Sequence, residues 1–90
     1  MITKIESIDD VRNFFKQLLN EDLNFHPDTP FEDYIDLQTK KPCFSKEEAE
    51  MRNKLMDDCF VVCEQDGVDI YEIAMEEFWS SINNSRLNNL

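Results

Sequence analysis

Between residues 8 and 20, Ile8, Val11, Phe14, Phe15, Leu18 and Leu19 recur at the spacing of one helix face, while Arg12, Asn13, Lys16, Gln17 and Asn20 occupy the other. Ser7, with Asp10 three residues on, supplies the cap, so the pattern predicts a helix over 8–20 with one core face and one wet face. A second start is written in Phe44-Ser45-Lys46-Glu47-Glu48. Ser45 can accept from the amide of Glu48 while the Glu48 carboxylate reaches back to the Ser45 amide, and Phe44 with Ala49 forms a hydrophobic staple. This helix is predicted to run to Gln65 or Asp66 and to end at Gly67, the only glycine, in the left-handed conformation. Its apolar arc (Ala49, Met51, Leu55, Met56, Cys59, Phe60, Val62, Cys63) covers about half the circumference, which predicts a central helix packed on two sides.

A third helix is predicted from Asp69 as cap, with Glu72 as box partner and Val68 with Ile73 as staple. Its stripe of Ile70, Tyr71, Ala74, Met75, Phe78, Trp79 and Ile82 is expected to face the core, opposite Glu72, Glu76, Ser80 and Asn83. Only Gly67 and Val68 separate it from the preceding helix, so the two form a corner or hairpin. The Asn-rich tail over 83–90 is expected to fray. Residues 21–44 form a connection longer than a compact domain usually leaves without structure. Within it, Thr29-Pro30-Phe31-Glu32 reads as another capping box with proline at the first helical position, predicting a short helix over about 30–35. Residues 36–43 read as turn or extended chain, with room for a short strand. Phe25, Phe31, Tyr34, Ile35 and Leu37 are expected to cover the apolar faces of the long helices. The fold class expected is all-α: one small orthogonal or bundle-like domain over 1–90, with three main helices and a short helical turn.

The layout FHPDTPFEDYI (25–35), then FSKEEAEMRNKLMDDCFVVCEQDGVDIYEI (44–73), resembles a group of short, acidic, uncharacterised proteins from gut Bacteroidetes over roughly residues 24–77. The resemblance implies a bacterial source and carries no functional residue with it.

Composition narrows the range of partners. Twenty Asp and Glu against nine Lys and Arg give a formal charge of −11, and no basic residue occurs between Lys54 and Arg86. Phosphate binding needs cations that displace counterions, so direct contact with nucleic acid or an anionic membrane is not expected, whereas a basic protein would be attracted. A second copy of the chain is the other partner considered. No apolar run suits a signal peptide or a membrane span, and three cysteines without a regular framework fit reduced thiols, so a cytoplasmic location is expected and the Asn83-Asn84-Ser85 glycosylation pattern is coincidental.

The chemical candidates are few. Cys59 and Cys63 share a helix face, and Cys43 and His26 could complete a metal set, but thiols inside an apolar arc behave as small hydrophobes. His26 beside Asp28 could act as a base, yet no second acidic or nucleophilic group is identifiable. Placing Gly67 at the invariant glycine of a calcium loop puts Val62 and Ile73 where carboxylates are required. One glycine cannot build a phosphate-cradling loop, and a recognition helix bearing Glu72, Glu76 and Glu77 would repel DNA. Arg52 falls inside an apolar arc and needs a partner: Glu48, four residues earlier on the same helix, is one, and Asp28, Glu32 or Asp33 would let it anchor the 25–35 segment.

No cofactor, metal or catalytic residue is assigned from the sequence. The function expected is a non-enzymatic protein-interaction module, with His26, Asp28, Tyr34, Arg52, Glu72, Glu76 and Trp79 as candidate contact or anchoring residues. An acidic inhibitor imitating DNA is the alternative, and a minor enzymatic or metal role around His26 comes third.

Overall fold

In the computed structural model, which describes residues 2–88 and their side chains through 83, three helices form: α1 (Ile8–Asn20), α2 (Lys46–Asp66) and α3 (Ile70–Asn88). A single 3₁₀ turn, Phe31–Asp33, interrupts the connection between α1 and α2. The all-α class expected from the sequence holds: the described residues contain no strand, only an isolated antiparallel bridge between Ile35 and Pro42. Among the described residues no helix is long and apolar enough to cross a membrane. The fraying expected over 83–90 falls mainly on side chains outside the described residues.

The helix starts follow their caps. Ser7 Oγ accepts from the Asp10 N–H at 3.2 Å, and Asp10 in turn accepts from the Glu6 N–H at 2.9 Å. At α2 both arms of the capping box form, Glu48 N–H to Ser45 Oγ and Ser45 N–H to Glu48 Oε1, each 3.1 Å. Gly67 ends α2 at φ 66°, where a side chain would be strained. Asp69 opens α3 by accepting from the Tyr71 N–H at 2.9 Å.

The core is built around α1, whose Val11, Phe14, Phe15 and Leu18 are all fully buried. Ala49, Leu55, Met56, Cys59, Val62 and Cys63 of α2 meet them, as do Ile70 and Ile73 of α3, and Phe31 caps the cluster. Burial on this scale stabilises by about 1.5–3 kcal/mol per large side chain before ordering entropy is subtracted. α3 packs chiefly on α1 and less on α2. The molecule is therefore a slab, 39 × 39 × 21 Å, and α3 has much of its surface left open.

Two expectations fail here for physical reasons. The capping box Thr29-x-x-Glu32 does not form: Pro30 stays extended at ψ 143°, and only three residues turn. Asn53 of α2 takes both groups, accepting the Phe31 N–H and donating to Glu32 Oε2, each at 2.9 Å. Ile35 and Leu37 do not cover the helices either; Leu37 is 82% exposed in the turn closed by Asp36 and Lys40.

Candidate functional site

α3 carries apolar side chains around most of its circumference, and one neighbouring helix can cover only part of them. The buried arc is Ile70, Ile73 and Glu77, with Ala74 half-buried, not the stripe expected from periodicity. At about 100° per residue the expected stripe is centred roughly 120° away. Four of its seven members face solvent, Tyr71 at 44%, Met75 at 62%, Phe78 at 37% and Trp79 at 54% exposed, while Ile70 is buried and Ala74 and Ile82 are half-buried.

The choice of face is tied to one cross-helix ion pair. Glu77 is only 6% exposed and sits in the α1–α3 interface, where Arg12 Nη1 reaches its Oε1 at 3.3 Å and Glu76 Oε2 at 2.9 Å. Glu76, then Glu77, hold the Arg12 guanidinium more firmly in its charged form. Turning α3 to bury Trp79 would remove Glu77 from its cation.

The open stripe forms one wall of a groove of about 320 Å³, and Leu19, Asn24, Phe25, His26 and Pro27 form the other. The chain reaches that wall through a left-handed turn at Asp22 (φ 60°), where the Leu23 N–H returns to the Leu18 carbonyl at 3.1 Å and closes α1. Tyr71 spans the groove's end: its hydroxyl donates to Asp28 Oδ1 at 2.7 Å, a bond that raises the phenol's pKa above its ordinary value. Its ring lies 6.1 Å from His26 and 6.2 Å from Phe60. His26 Nδ1 accepts the Asp28 N–H at 3.1 Å, and the His26 N–H donates to the Tyr34 hydroxyl at 2.8 Å. The imidazole is thus used in a local turn.

The seven candidate residues separate. His26, Asp28 and Trp79 come together around the groove, with Glu72 exposed on the outer flank of α3 and Glu76 held by Arg12. Tyr34 and Arg52 lie instead on a second hollow of about 1,110 Å³, which also carries Glu21, Asp22, Asp36 and Glu48. Arg52 is buried as its arc position required, but it does not anchor the 25–35 segment through Asp28, Glu32 or Asp33. Its guanidinium reaches Glu21 Oε1 at 3.5 Å and the Glu48 carbonyl at 3.3 Å, and lies 4.4 Å from the Phe44 ring centre. Nε has no hydrogen-bond partner among the described residues. The Glu48 carboxylate is committed to Ser45, whose N–H and then hydroxyl hold its pKa below the usual range. Asn53, absent from the candidates, is the anchor.

Cys59 and Cys63 are buried; burial, with Cys63 nearby, pushes the Cys59 thiol up to about 12, and burial raises Cys63 too. Among the described residues no three His, Cys, Asp or Glu side chains gather as a metal-holding group. Tyr71, Met75 and Phe78 belong to the stripe expected to face the core, and Phe25 and Pro27 carry no expected site; the signal for the groove in the sequence is an apolar arc on 70–82 wider than one neighbouring helix covers. No protein-family model, curated protein or solved structure matches the chain.

Proposed function

We propose that the protein is a small, non-enzymatic docking module that receives another protein on the open face of α3. The observation that carries this is the line of Tyr71, Met75, Phe78 and Trp79, each more than a third exposed, along one side of a preformed apolar groove. Single exposed hydrophobes are ordinary, but a contiguous run beside a groove is the surface that partners bury. Trp79 alone, 54% exposed, leaves roughly 130 Å² in water, and covering it would contribute about 3 kcal/mol.

The alternative of an inhibitor imitating DNA has less support. Glu77 is buried and Glu76 shares its cation, so of these two carboxylates one is withdrawn from the surface and Arg12 neutralises one of their two charges within the molecule. The three free thiols, two of them in the core, favour a reducing, cytoplasmic compartment. The test is affinity capture from cells that make the protein, with the parent chain and Met75→Ser side by side. A protein retained by the parent and lost with Met75→Ser supports docking on α3; identical retention profiles reject it.

A further inference from the structure

We infer that the occupant of the α3 groove is an amphipathic helix whose apolar face is flanked by lysine or arginine. This rests on the docking reading above and specifies the partner's chemistry.

Length and shape indicate a helix. From Tyr71 to Trp79 the exposed stripe rises about 12 Å, just over two turns, the span over which a second helix presents anchors at i, i+3 or i+4, and i+7. The groove, about 320 Å³ and lined mainly by apolar side chains, is at the low end of the roughly 300–1,000 Å³ of small-molecule sites. It suits an inserted side chain better than a cofactor. Charge selects the flanks. Glu72 lies on the outer flank of the stripe, Asp28 closes the Tyr71 end, and the sequence has no Lys or Arg between Lys54 and Arg86. A second copy presenting the same face would bring two acidic flanks together, which like-charge repulsion opposes. A basic helix meets the same flanks with attraction, and the net charge of −11 steers it from a distance.

Trp79 is the only tryptophan in the chain, so its emission reports directly on the groove. The probes are three capped, tryptophan-free peptides of about 18 residues, each with leucine along one helical face and Lys, Gln or Glu elsewhere. The Lys peptide should shift Trp79 emission to the blue with saturation. It should bind about tenfold or more tighter than the Gln peptide at low salt, with the Glu peptide weaker still and the gap narrowing near 0.5 M salt as screening grows. Met75→Ser and, separately, Phe78→Ser change no charge, and each should weaken the Lys peptide by about tenfold. Equal binding of the Lys and Gln peptides overturns the basic partner while leaving the docking reading intact. Lys-peptide binding that ignores both substitutions is mere charge attraction and overturns the assignment of the site. If no peptide binds, both readings fall, and a concentration-dependent blue shift of the protein alone, with dimers in sedimentation, makes the occupant a second copy instead.

Discussion

Arg12 and Glu77 are 65 residues apart, yet their ion pair bridges α1 and α3 on the buried side of α3. Replacing Arg12 with Met removes the cation and leaves the Glu77 carboxylate in the α1–α3 interface. At the observed 3.3 Å, two unit charges in an effective dielectric of about 20 attract by about 5 kcal/mol. The Arg12 side chain is 33% exposed, so water weakens the pair, and a loss of about 2–3 kcal/mol is expected after that screening. In a domain of this size that lowers the thermal midpoint by roughly 10–20 °C. Urea unfolding followed by far-ultraviolet circular dichroism, with an unchanged m-value, gives the number directly. Arg12→Met/Glu77→Leu removes both charges and should return to within about 1 kcal/mol of the parent, because an uncompensated charge, more than a missing pair, is the cost. A loss below about 0.5 kcal/mol in Arg12→Met, or a double variant no more stable than the single one, would refute the ion pair as the determinant of the α3 face.

Three further outcomes follow from individual contacts. Asn53→Ala leaves the Phe31 N–H without its acceptor, so a loss of about 1–3 kcal/mol and faster amide exchange across 25–35 are expected, whereas unchanged exchange there would remove Asn53 as the anchor. With a thiol reagent at neutral pH the native protein should show one fast cysteine, Cys43, and two, Cys59 and Cys63, that react only on unfolding; three equally fast thiols would contradict their burial. Because the folded-state pKa of Glu48 is depressed, its contribution is present above the unfolded value and is lost as pH falls through the folded one. Glu48→Gln keeps an oxygen for the Ser45 N–H, so its stability should fall less steeply in acid than the parent's, and superimposable pH curves would reject this reading of the capping box.

What the sequence reveals depends on how many contacts are local. α1 was legible because its apolar and polar positions divide into two faces, and α2 because both arms of its cap and its glycine stop lie within a few residues of its ends. Thr29-x-x-Glu32 has the same local grammar and fails, since Asn53, twenty-one residues beyond Glu32, competes for Glu32 and also holds the Phe31 amide. Arg52 was placed correctly inside its arc, but Glu21, at the end of α1, could not be named as its partner from helix spacing. α3 was the hardest case. Its apolar positions fill more of the circumference than one contact can hide, so periodicity allows two orientations, and the buried Glu77 that separates them looks in the sequence like one more solvent-facing acid. The same ambiguity conceals the groove, because Tyr71, Met75 and Phe78, which form its α3 wall, belong to the stripe that periodicity turns toward the core.

The claim that α3 docks a protein is tested most directly by photo-cross-linking in cells that make the chain, with Met75→p-benzoylphenylalanine compared against the same replacement at Asp57, an exposed position on α2. A discrete adduct from position 75, absent from position 57, is the expected result. No adduct at position 75, or the same adducts from both positions, would contradict it.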